Sequence, residues 1–114
     1  MESCIFCKIA GHEIPASVVY EDDRLLAFND INPAAPVHIL IIPKRHISGI
    51  AALAESDGDL IGHMMVTAAE LAEEKGVAEN GYRVVVNQGA DAGQSVAHLH
   101  FHLLGGRQMS WPPG

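Results

Sequence analysis

Three histidines alternate with apolar residues in the run His98-Leu99-His100-Phe101-His102-Leu103-Leu104. A β-strand turns successive side chains to opposite faces, so the three imidazoles would share one face and the apolar residues the other. Packing alone has no use for three titratable rings in a row. An imidazole near neutral pH serves as nucleophile, acid, base or metal ligand, so the run reads as an active-site strand. Just upstream lies Asn87-Gln88-Gly89-Ala90-Asp91-Ala92-Gly93-Gln94-Ser95. Alone, such a Gly/Asp/Asn cluster is a plain turn. Set before three histidines, its glycines and free N–H groups read as a phosphate cradle. Imidazole attacks phosphorus, and the phosphorylated nitrogen is then a good leaving group for water.

Cys4-Ile5-Phe6-Cys7 spaces two sulfurs so that they can chelate one ion, as in a zinc knuckle. The chain has no further cysteine, so two more ligands must come from elsewhere, and His46 and one triad histidine are the candidates. Two buried thiols are the equal alternative; a redox pair fits less well, because no βαβ unit surrounds the motif. His38 sits in an aliphatic run, as a core histidine bonded to backbone or as a partner of the triad strand. Asp30, before Asn32-Pro33, forms a turn or binds a ribose. His12 reads as surface, and His63 as a boundary position on a helix.

These residues need elements to hold them. Val18 to Tyr20 and Leu25 to Phe28 flank the polar turn Glu21-Asp22-Asp23-Arg24, a hairpin signal. Val37 to Ile42 is strand-like and closed by Pro43. From Ser56, a candidate N-cap, Leu60, Met64, Ala68 and Leu71 recur at helical spacing until Gly76 stops the helix. Tyr82 to Val86 and Leu99 to Leu104 complete about five strands, with a short helical turn at Cys4 to Ala10. Helices grouped outside the strand runs predict an α+β fold on an antiparallel sheet, in a single domain spanning 1–114. With 7 basic and 14 acidic residues the net charge is -7, which excludes nucleic acid as a non-specific partner. No run is long enough to span a membrane, no signal peptide opens the chain, and the cytoplasm is the expected compartment.

His98-x-His100-x-His102 followed by two aliphatics resembles the signature of the histidine-triad (HIT) superfamily. The likeness extends through Phe6-Cys7-Lys8-Ile9, Glu13-Ile14-Pro15-Ala16, Glu21-Asp22-Asp23-Arg24, His38 to Ile47 and Gly93-Gln94-Ser95-Val96. The ending Leu104 to Gly114, with Trp111-Pro112-Pro113-Gly114, resembles the tail of the histidine-triad nucleotide-binding branch. The resemblance implies a HIT-like fold whose five-stranded sheet joins a second copy's into a ten-stranded sheet. It implies hydrolysis of purine nucleoside phosphoramidates, AMP or GMP joined to an amine, through a nucleotidyl-histidine. His100 would be the nucleophile, His102 would bind the phosphate and assist the leaving group, and His38 would support His100 by hydrogen bonding. Asn87, Gly93 and Ser95, in the loop that includes Gln94, would hold phosphate oxygens, and Asp30 the ribose. Ile9, Phe28 and Ile31 would form the purine slot. Zinc-binding members of the family imply a structural zinc on Cys4, Cys7, His46 and His98, with no catalytic metal.

Relatives that pass the nucleotide to a sugar phosphate carry glutamine where this chain has His102. Dinucleoside polyphosphate hydrolases keep three histidines but differ in the tail. Two other classes compete: a metallohydrolase whose triad itself holds a catalytic zinc, and a nucleotide-binding regulatory module with little turnover.

Overall fold

A computed structural model describes residues 4–114 of the chain; Met1 to Ser3 of the expected 1–114 domain lie outside the described residues. Its elements are α1 (Ile5–Ala10), β1 (Val18–Glu21), β2 (Leu25–Asn29), β3 (Val37–Pro43), α2 (Gly58–Glu74), β4 (Tyr82–Val86) and β5 (Phe101–Gly105), with three short 3-10 turns between them. The strands form one antiparallel sheet in the order β1-β2-β3-β5-β4. This is the five-stranded α+β architecture the sequence predicts. Among the described residues no helix is long and apolar enough to cross a membrane.

Period-two alternation divides the core between the two faces of the sheet. Ile39, Ile41, Phe101 and Leu103 pack with Met64, Ala68, Leu71 and Ala72 of α2. Leu26, Phe28, Leu40 and Ile42 turn the other way, against Phe6, Ile9 and Ala10 of α1. The helix α1 has only six residues and owes its place to this packing rather than to propensity. The face covered by α1 also carries the candidate histidines His38 and His102. The register pairs His38 with Leu104 and Leu40 with His102, so His38 and His102 are diagonal neighbours on one face.

Two boundaries differ from the sequence reading. The last strand begins at Phe101 rather than Leu99, so only His102 of the triad lies within it. Continuing the register beyond Ile41–Phe101 would bring Leu99 opposite Pro43, which has no N–H to give to a ladder. Leu99 N–H donates instead to the Ile47 carbonyl (2.6 Å), and the in-out alternation nonetheless persists back to His98. The second difference is at α2. Ser56 is not its cap: Glu55–Asp57 forms a 3-10 turn, and the Asp57 carboxylate accepts from Ala54 N–H and pairs with Arg45. The other end of α2 follows expectation. Gly76 adopts φ 75°, and bonds from Gly76 and Val77 N–H to the Glu73 and Ala72 carbonyls close a Schellman turn.

Candidate functional site

Backbone groups have fixed roles, a carbonyl only accepting and an amide N–H only donating, and here they decide which nitrogen of each imidazole carries the proton. His100 Nδ1 lies 2.7 Å from the His98 carbonyl, so Nδ1 holds the proton and Nε2 keeps a lone pair. His98 Nε2–H donates to the Pro43 carbonyl (2.8 Å), which leaves its Nδ1 as a donor atom for a metal. At His38 the logic reverses. Ala34 N–H donates to His38 Nδ1 (3.0 Å), so the proton sits on Nε2 and is given to His102 Nδ1 (2.9 Å). His102 therefore presents Nε2–H. The Asp30 carboxylate stands 3.4 Å from His38 Nε2.

The expected partner of His38 was His100; the structure joins His38 to His102 instead. The cause is the register, which makes His38 the diagonal neighbour of His102, whereas the Nδ1 edge of His100 is already occupied by the His98 carbonyl. Burial, reinforced by the adjacent His100 and His38, holds the His102 pKa down to about 4. Burial also lowers His38, with Asp30 opposing. Both rings stay neutral at physiological pH.

A cleft of about 430 Å³ is lined by His100 and His102. Its lining combines apolar Phe6, Ile9, Phe28 and Leu40 with polar Asp30, Ser95, His100 and His102. The Phe6 ring meets Phe28 and His100 edge-on, at centroid distances of 5.6 and 5.1 Å. Of the residues expected to hold a nucleotide, Ile9, Phe28, Asp30, Ile31, Ser95, His100 and His102 line this cleft; Ile31 is 92% exposed at its rim. Asn87, Gly93 and Gln94 do not line it. Gln94 has its amide engaged within the fold: Oε1 accepts from Gly89 N–H (2.8 Å), and Nε2 donates to the Ser48 carbonyl (2.8 Å). It braces the loop. Gln88 helps, accepting from Ala51 N–H (2.9 Å), and a Cβ on Gly49 would collide with its Oε1. No lysine or arginine is among the lining residues.

Cys4, Cys7, His46 and His98 converge, the set that the family resemblance implies. Cys4 Sγ and Cys7 Sγ lie 3.3 and 3.5 Å from His98 Nδ1, Cys7 Sγ 3.3 Å from His46 Nδ1, and the two Nδ1 atoms 3.2 Å apart. Bonds of about 2.3 Å to sulfur and 2.0–2.1 Å to nitrogen put the N···N and S···N edges of a zinc tetrahedron at roughly 3.3–3.6 Å. The donor set fits. The His98–Pro43 bond is the outer hydrogen bond that fixes a metal-binding imidazole.

The other histidines are peripheral: exposed His12 contacts Glu21 (2.7 Å), and His63 ties α2 to Asp22 (2.6 Å). Sequence reasoning missed Ala34, whose contribution is a backbone amide that no side chain announces. The dense turn Asp30-Ile31-Asn32-Pro33-Ala34-Ala35-Pro36 was the available signal.

The HIT domain family matches residues 11–109. The 14 kDa zinc-binding protein of Zea mays is 54% identical over 112 residues, covering 96% of this chain and 87% of that protein. Adenylylsulfatase HINT1 of Arabidopsis thaliana is 51% identical over 112 residues, covering 96% and 76%. Among solved structures, a HIT family hydrolase from Legionella pneumophila Philadelphia 1 superposes with a TM-score of 0.97 at 54% identity, covering 98% of this chain and all of that one.

Proposed function

Because the chain belongs to the HIT domain family, in its histidine-triad nucleotide-binding branch, we propose that it is a nucleotide hydrolase acting on purine nucleoside phosphoramidates through a nucleotidyl-histidine. The observation that carries this reading is the tautomer of His100. Its Nδ1–H is bound by the His98 carbonyl, so the neutral ring carries its lone pair on Nε2, on a residue lining the cleft.

The apolar lining takes the purine, between Ile9, Phe28 and the rim residue Ile31, and Asp30 takes the ribose hydroxyls. Ser95, the member of this loop's expected phosphate-binding residues that lines the cleft, holds the phosphate oxygens. In the first half-reaction His100 Nε2 forms a bond to phosphorus as the P–N bond breaks. The electron pair stays with nitrogen, which takes up a proton from the medium. His102 Nε2–H steadies the phosphoryl oxygens and the departing amine. In the second half-reaction a water oxygen bonds to phosphorus, the N–P electron pair returns to His100, and the water proton is released. The products are nucleoside monophosphate and free amine.

Absence of lysine and arginine from the cleft lining favours substrates with a singly charged phosphate over polyphosphate chains, and so the phosphoramidase over the dinucleoside polyphosphate hydrolase. The name of the Arabidopsis relative is consistent with a site that holds an adenylyl group.

Cys4, Cys7, His46 and His98 would hold a zinc as a structural tie outside the chemistry. Four protein ligands would leave it no open position, and His98 Nε2 is already bound to backbone. A reducing cytoplasm keeps the two thiols available. The outer strand β4 pairs with that of a second copy to extend the sheet.

Stereochemistry tests the covalent route. A substrate chiral at phosphorus, as a phosphorothioate, passes through two in-line displacements and emerges with retention. Inversion would mean direct attack by water, and would eliminate the nucleotidyl-histidine.

A further inference from the structure

Arg107 lies in the C-terminal tail and does not line the cleft. Its Nε–H donates to the Ala34 carbonyl (2.9 Å), and its Nη1 to the Gln108 carbonyl (3.2 Å). Ala34 is the residue whose N–H sets the tautomer of His38 (3.0 Å). One peptide segment is therefore gripped from both sides, by the tail through its carbonyl and by the active site through its amide. Pro33 and Pro36 bracket the segment and have no N–H, so it cannot be stitched down as a strand would be. The tail presses against it directly: Gly106 adopts φ 92°, and a Cβ there would lie 2.9 Å from Pro36 Cβ.

We propose that Arg107 is a positioning residue that latches the tail onto Ala34 and thereby fixes the hydrogen-bond relay from Ala34 through His38 to His102. The relay runs Ala34 N–H to His38 Nδ1, His38 Nε2–H to His102 Nδ1, and His102 Nε2–H toward the substrate. Release of the Ala34 carbonyl lets the 30–36 segment drift and its amide leave His38 Nδ1. Both rings are then free to take the other tautomer, in which His102 turns a lone pair instead of a donor to the phosphate. The guanidinium acts through backbone alone. The catalytic consequence rests on the proposed phosphoramidase reading, whereas the tautomer assignment does not.

The test combines imidazole nitrogen NMR with steady-state kinetics on the full chain, using adenosine phosphoramidate as substrate. In the parent protein His38 and His102 carry their protons on Nε2. Arg107→Ala should mix the tautomers of both rings and lower kcat roughly tenfold, the effect of one lost hydrogen bond to a reacting group, with a smaller change in KM. Arg107→Lys, which keeps a charged donor, should restore most of both. Arg83→Ala is the control: Arg83 Nη2 holds the tail through the Ser110 carbonyl (3.1 Å) without touching Ala34, so it should leave the tautomers unchanged. The latch is refuted if His38 and His102 keep their parent tautomers in Arg107→Ala, or if Arg83→Ala disturbs them equally. Should Arg107→Ala fail to fold, Arg107→Met, which keeps the aliphatic stem and has no donor, replaces it under the same criteria. A tautomer shift in a protein that never cleaves the phosphoramidate would uphold the latch and refute the proposed function instead.

Discussion

The Ala34 amide and the carbonyls of His98 and Pro43 assign one proton each on His38, His100 and His98, so three similar rings have three different capacities. His100 keeps the free lone pair. His100→Ala should lower phosphoramidate turnover by roughly three orders of magnitude or more while nucleotide binding, followed by calorimetry, changes little; near-normal turnover would exclude it as nucleophile. His102 makes a prediction about pH. Its folded pKa of about 4 lies below the ordinary 6.5, so between those values the unfolded chain takes up a proton that the native ring refuses. Stability from this ring is therefore complete above pH 6.5 and is lost as pH falls toward 4. His38, lowered in the same direction, adds to the loss. Denaturant midpoints should drop over that window, and less so in His102→Asn; an equal drop in both would contradict the assignment. The alternation of histidines with apolar residues made the shared face legible in the sequence. The partner of His38 was not, because it depends on a strand register that pairs residues 64 apart.

At the scale of elements, α1 and the segment leaving β3 are tied together by the Cys/His cluster, and His98 carries that tie into the site: its side chain joins the cluster while its carbonyl holds His100. Removal of the proposed zinc by a chelator, or Cys7→Ser, should lower Tm by roughly 10 °C or more, as expected for loss of a few kcal/mol from a domain of this size. Activity should fall as a consequence of structure, and scanning calorimetry with and without chelator checks it; an unchanged Tm would remove the structural role. The C-x-x-C spacing made half of this cluster legible, and the two imidazoles completed it as expected. Element ends were harder to read. The shortened β5 depends on what Pro43 cannot donate across the sheet, and the late start of α2 on Arg45 and Ala54 claiming the Asp57 carboxylate. Local propensity contains neither contact.

For the whole molecule, the order β1-β2-β3-β5-β4 leaves β4 as an outer strand beside the C-terminal tail, with Arg83 of β4 holding the Ser110 carbonyl. Light scattering at micromolar concentration should report a dimer, because an unpaired edge of this length seeks a partner strand; a stable monomer would contradict pairing through β4. The fold class was legible because hairpin turns and a single long amphipathic helix admit few arrangements. Less legible was the contact between the tail and the 30–36 segment, which joins residues far apart in sequence through a guanidinium and a backbone carbonyl. The central claim is that nucleotide and protein are joined at one nitrogen during turnover. Rapid acid-free quenching with adenosine phosphoramidate, followed by intact and peptide mass spectrometry, tests it most directly. The account predicts one adenylyl group per chain, on His100, appearing and decaying at rates compatible with turnover. No adduct under conditions of active turnover, or an adduct on His98 or His102, would contradict it.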